Sequence, residues 1–269
     1  MDMTAVLGID SAWTVNNSSG VALVESDGNR WRCRAVAPDY SSFYKIADGR
    51  SPDWTGKLRA SAPNPSRLLK ACAELLDGQK VDLVTIDMPV SKIPIYKRRP
   101  ADDLVSRAYG SRGCSTHSPI WGRPGLLSEK ISNSFKWHGY PLATADTKPG
   151  TPGCLVEVFP HPALLTLLDE NYRIPYKVLR TKTLWPDASL PERKILIRQS
   201  LVRILDALKS EISNIDLTID PEIDSASFEA LLPYEHALDA LVCAWVGIRF
   251  LEGKATPYGD SYAAIWVPE

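Results

Sequence analysis

Nothing in this chain concentrates charge, sulfur or apolar length in one place. Its 31 Lys and Arg offset 32 Asp and Glu to leave a formal charge of −1, so no global field draws it to nucleic acid or a membrane surface. Any anion-binding surface must be local. The longest apolar stretch, residues 240–248, is too short to span a bilayer, and no membrane association is expected. Near the N-terminus, Asp2, Asp10 and Asn16 interrupt what a secretory signal would keep apolar. The five cysteines (Cys33, Cys72, Cys114, Cys154 and Cys243) are odd in number and lack paired spacing, so they read as reduced thiols in a cytoplasmic protein. Repeats and low-complexity tracts are missing too.

What is present suits one domain of 269 residues with a sizeable insertion, and its 44% hydrophobic content allows a real core. Strand-like runs occupy residues 5–10, 20–25 and 31–37, the last two joined by "ESDGNRW", whose Asp27-Gly28 pair is a hairpin signal. Residues 38–63 are rich in Ser, Pro, Asp and Tyr and read as loop. "NPSRLLKACAELLDG" is a helix, capped by Asn64 with Pro65 in its first turn and closed by Gly78. Residues 81–86 form a buried strand ending in Asp87, expected parallel to the first because a crossover helix precedes it.

Residues 91–150 read as the insertion, with helices at 101–109 and 126–137. A strand at 155–159 is broken by Pro160, and an amphipathic helix covers 191–212. The acidic linker "NIDLTIDPEIDSAS" leads to a last helix at 233–251, and "YAAIWVP" closes the chain as a strand. The expected class is α/β: three antiparallel strands followed by parallel ones in a mixed sheet, flanked by helices.

Four acids sit where acids are awkward. Asp10, Asp87 and Glu157 lie in or just beyond apolar strands without a neighbouring partner. If the first and fourth strands are parallel neighbours, Asp10 and Asp87 end at the same sheet edge, where α/β proteins bind ligands. Asp239 lies in a helix that is apolar on nearly every side, one turn after Glu235. Like charges so spaced repel, and a buried carboxylate without a partner is costly or takes up a proton. A divalent cation, Mg²⁺ or Mn²⁺, would remove both problems. A turn cap explains Asp10 or Asp87 taken singly, and the helix dipole explains Glu235, but neither explains Asp239.

The ordered set "GIDSAW", "TIDMPV", "RRPADDLVSRAYGSRGCSTHSP", "EVFPHPALL", "HALDALVCAW" and "GDSYAAIWVP" resembles the domain-of-unknown-function 429 family, described as ribonuclease H-like nucleases. More distantly it resembles RuvC-type resolvases. The resemblance spans nearly the whole chain. It implies a ribonuclease H-like fold and a Mg²⁺/Mn²⁺-dependent nuclease cutting DNA or RNA at a two-ion carboxylate site. Asp10, Asp87 and Asp239 would be the metal ligands, with Glu157 a fourth catalytic acid. Ribonuclease H proper carries a catalytic Glu on its first helix; here that helix offers only Glu74, which favours the resolvase arrangement.

The loop "KIPIYKRRPADD" gathers Lys92, Lys97, Arg98 and Arg99, a candidate phosphate contact. With Asp102, Arg107 and Ser115 in the same long motif, Arg98 and Arg99 are the expected substrate-binding residues. His161 and His236 lie near the acids and suit proton transfer. Cys114 and His117 have metal-like spacing, but no second pair follows. "GIDSAWT" also resembles the phosphate-binding strand of actin-like kinases; 16 glycines and no second such segment count against that rival. A non-catalytic binding module is the other alternative.

Overall fold

In the computed structural model, which describes residues 3–54, 58–219 and 227–269, the three expected N-terminal strands form as β1 (Thr4–Asp10), β2 (Gly20–Ser26) and β3 (Trp31–Ala37). They are antiparallel, and Asp10 pairs with Gly20. Helices α1 (Tyr40–Ala47) and α2 (Pro65–Leu75) then lead into β4 (Leu83–Ile86), which runs parallel to β1. Helices α3 (Pro100–Tyr109) and α4 (Gly125–Trp137) precede β5 (Cys154–Val158), parallel to β4. After α5 (Pro160–Leu167), α6 (Thr181–Leu184) and α7 (Leu190–Glu211) come the short β6 (Ile212–Ser213), α8 (Leu232–Leu251), β7 (Ala255–Gly259) and β8 (Ala264–Pro268). All eight strands make one mixed sheet in the order β6-β3-β2-β1-β4-β5-β8-β7.

Strand alternation divides the core in two. Val6, Ala22, Leu83 and Val156 face α5, α7 and α8, whereas Leu7, Val21, Val84 and Leu155 face α1, α2 and α4. Of the 20 residues in α8, sixteen are buried, so a helix long and apolar enough to cross a bilayer is here packed inside the protein. Its close approach to the sheet depends on glycine. A Cβ on Gly8 would collide with the backbone at Ala240 and Ala244, and one on Gly20 with the carbonyl of His236. Thr85 adds a bond from its hydroxyl to the Cys243 carbonyl (2.8 Å), tying β4 to the same helix.

Some local expectations need correction. Within the loop expected at 38–63, Tyr40–Ala47 is helical: Asp39 caps it by accepting from Ser42 N, while Tyr40 and Phe43 bury their rings. Pro160 ends β5 but also opens α5, since proline fits a first helical turn. Strand β7, which the sequence reading does not include, contains Pro257 and lies at the sheet edge, where proline is tolerated. Part of the acidic linker, residues 220–226, lies outside the described residues.

Candidate active site at the strand ends

Asp10 and Asp87 emerge together. Ile9 pairs with Ile86 across parallel β1 and β4, so the residues that follow them, Asp10 and Asp87, stand at the same level. Alternation sends both side chains to the α8 face, which their neighbours Gly8 and Thr85 also take. Asp10 Oδ2 meets His236 Nδ1 at 2.8 Å. Among the described residues, no hydrogen-bond donor reaches the Asp87 carboxylate. Burial, with repulsion from Asp10 and Asp239, holds that group well above the usual carboxylate range. Burial alone would lower His236; its bond to Asp10 reverses this and raises it.

The two acids of α8 are in the opposite condition. Tyr176 donates its hydroxyl to Asp239 Oδ1 (2.6 Å), and Lys177 Nζ stands 2.5 Å from Asp239 Oδ2 and 3.2 Å from Glu235 Oε1. The amide of Val178 donates to Glu235 Oε2 (2.6 Å). Three consecutive residues thus satisfy four carboxylate oxygens. Burial raises Asp239 to about 6 against the pull of Lys177. The same burial opposes the Lys177 charge, but Asp239, Tyr176 and Glu235 outweigh it and hold the ammonium well above its ordinary range.

Glu157 belongs to a different cluster. It pairs in register with Ile86, not Asp87, and so points to the other face of the sheet. There Arg99 uses all five of its N–H donors: two on Glu157, two on Asp102 and one on the Val90 carbonyl, at 2.6–3.0 Å. Arg99 therefore has no donor left for a substrate, contrary to the sequence expectation, and Asp102 and Glu157 are its counterions. Arg98 is likewise turned inward, bonding Asp103, Ser106, Ser118 and the carbonyls of Asp102 and Thr116. Arg107 is exposed on α3 and does not line the cleft, whereas Asp102, Ser115 and Glu157 do. Glu74 pairs with Lys70 on α2, away from the cleft.

A cleft of about 950 Å³ spans the strand ends, with Asp10, Asp87 and Glu235 on its floor. It is also lined by residues to which the sequence gave no role: Trp13, Arg123, Arg173 and Arg180. Among the described residues, none of these guanidiniums has a carboxylate partner. Arg173 donates to His161 Nε2 (2.8 Å), and Arg123 lies 6.0 Å from the Trp13 ring centroid. Three of the chain's four histidines line this cleft. Burial, followed by the charge of Lys177 and Arg173, keeps His161 well below the usual imidazole range. His117 is lowered as well, by burial and then by Arg180, Arg173 and Arg123. The available signal was "YRIPYKVLRTK", basic and aromatic residues interleaved in an irregular segment.

A family model described as "Protein of unknown function (DUF429)" matches residues 8–263. The chain belongs to that family. No curated protein and no solved structure matches it. The DUF429 match covers Asp10, Asp87 and Glu235, the acids of the cleft floor, as well as Asp239.

A divalent cation fits this DUF429 floor in part. Among the described residues, no three His, Cys, Asp or Glu side chains are grouped so as to hold a metal. The expected trio is split, since Asp239 is engaged by Tyr176 and Lys177. Asp10 and Asp87 remain, and two carboxylates suit a magnesium-like ion that completes its shell with water and substrate phosphate.

Proposed function

We propose that this protein is a divalent-cation-dependent hydrolase of phosphodiester bonds in nucleic acid. The observation that carries the reading is one cleft that holds both Asp10 and Asp87, level with each other at the ends of β1 and β4, and three arginines that have no carboxylate partner among the described residues. Among the described residues no lysine or arginine pairs with Asp10 or Asp87 and no acid pairs with these arginines, which suits a ligand that brings both a metal and an anion. A phosphate ester binding with Mg²⁺ or Mn²⁺ is such a ligand. The strand order β3-β2-β1-β4-β5, with antiparallel then parallel pairing, supports the ribonuclease H-like reading of the fold.

Asp10 and Asp87 would hold the cation, which when bound polarises a phosphoryl oxygen and makes its water more acidic. His236 fixes the Asp10 carboxylate by its Nδ1 contact. Arg123, Arg173 and Arg180 would take the backbone phosphates, and Trp13 beside Arg123 offers an aromatic face to a base. His161, kept neutral and bonded to Arg173, orients that guanidinium.

The test is cleavage of single-stranded, duplex and branched DNA, and of RNA, with Mn²⁺. Asp10→Asn and Asp87→Asn should each abolish cutting while leaving binding intact. A wild type that binds the panel and cuts none of it would make this a binding module. Asparagine variants that cut as fast as wild type would move the chemistry elsewhere.

A further inference from the structure

We propose that Lys177 is a resident cation of the cleft: it stands on Asp239 and Glu235 where a two-ion site would seat a metal, so the protein takes a single divalent ion, on Asp10 and Asp87. The inference rests on the cation-dependent function proposed above and narrows it.

Three observations carry it. First, the four acids of the α8 face divide by how their oxygens are satisfied. Those of Asp239 and Glu235 all meet donors from residues 176–178, whereas Asp10 has one bond, to His236, and the Asp87 carboxylate has none among the described residues. A metal at Asp239 would have to displace an ammonium held by two carboxylates. Second, Lys177 is anchored from both sides. Its chain neighbours Tyr176 and Val178 bond the same two acids, and its ammonium lies 4.8 Å from the Tyr176 ring centroid. Third, an ammonium has three N–H donors and the two acids take two. Lys177 lines the cleft, so the third is available to a phosphate oxygen of the substrate. Lys177 then neutralises the helix acids permanently and lends positive charge to the phosphate alongside the arginines that line the same cleft.

Manganese alone, counted by calorimetry and by electron spin resonance, tests this without any turnover. One ion per wild-type chain is expected. Lys177→Met should bind two, Lys177→Arg one, and Lys177→Met combined with Asp239→Asn should return to one. Lys177→Gln keeps a donor for Asp239 without the charge. It should bind two ions, and it stands in if the methionine variant does not fold. Two ions on the wild type would overturn the proposal and leave the function standing. One ion on both wild type and uncharged variants would also overturn it, because the helix acids would then attract no cation. No ion on the wild type would overturn the cation-dependent function itself.

Discussion

Two clusters on opposite faces of the sheet share one recipe, a single basic side chain between two buried carboxylates, and differ in what they leave over. Arg99 sits between Glu157 and Asp102 with a side chain only 6% exposed and every donor used. Lys177 sits between Asp239 and Glu235 with its side chain 25% exposed, one donor free and two further acids nearby. The guanidinium fork closes a cluster, joining α3 to β5 at the edge of the cleft that Asp102 and Glu157 also line; the ammonium leaves one open. Burial of charge therefore does not by itself mark a functional site. The informative sign is incomplete satisfaction, at Asp87 and at the third donor of Lys177.

The sharpest way to break this contrast is to remove each cation in turn. Arg99→Met leaves Glu157 and Asp102 buried without a counterion and should cost about 3–5 kcal/mol in urea unfolding. Arg99→Lys should recover only part of that loss, since a lysine cannot fork between two carboxylates. Gly20→Ala comes next. Its Cβ would strike the His236 carbonyl, and the overpacking should cost about 2–3 kcal/mol. It should also weaken Mn²⁺ binding by displacing α8, while the Arg99 clamp is left intact.

Lys177→Met should cost less, about 1–2 kcal/mol, because water reaches its open cluster. Added Mn²⁺ should restore stability to this variant and not to Arg99→Met, which a thermal melt with and without metal would show. A Lys177 variant as damaged as the Arg99 one, and not rescued, would erase the distinction.

His161 sharpens the contrast through pH, since the cleft side carries histidine and the Arg99 clamp does not. Its folded value lies well below 6.5, so between the two values the unfolded chain binds more protons than the fold. That contribution is complete above about pH 6.5 and is lost as pH falls towards the folded value. Asp239, raised to about 6, works in the opposite sense, favouring the fold at lower pH. Subtracting the urea midpoints of His161→Asn from those of wild type between pH 7 and 5 isolates the histidine, and the difference should shrink as pH falls. The smallest effect on stability belongs to Arg123→Ala with Arg180→Ala, within about 0.5 kcal/mol because neither side chain has a carboxylate partner to lose. Their cost should appear in oligonucleotide binding, as a salt dependence shallower by about one to two ions. An unchanged slope would take these arginines out of the substrate path.

Much of the frame was legible before any coordinates. Short apolar runs bounded by turn signals located β1, β2, β3 and β4, a helical period located α2 and α7, and a long apolar run located α8. The pairing of Asp10 with Asp87 followed from two strands each ending in an acid. Glu157 lines the same cleft, but its sequence does not show which face of the sheet it takes. That depends on the β4–β5 register, in which Glu157 stands level with Ile86.

The choice of cation for each acid was beyond local reading. Arg99 and Glu157 are 58 residues apart, and Lys177 and Asp239 are 62 apart, so no spacing rule connects them. From the sequence alone, basic residues in one loop suggested a phosphate surface, and acids in a buried helix suggested a metal. Folding turned Arg98 and Arg99 inward and brought a lysine to the helix acids. The sequence by itself determined most of the elements, the strand-end carboxylates and the family, all carried by neighbours along the chain. Only the tertiary structure decided which charges cancel, because Coulomb attraction acts on distance in space, and that distance is set by how α8 and the segment around Lys177 pack over the sheet.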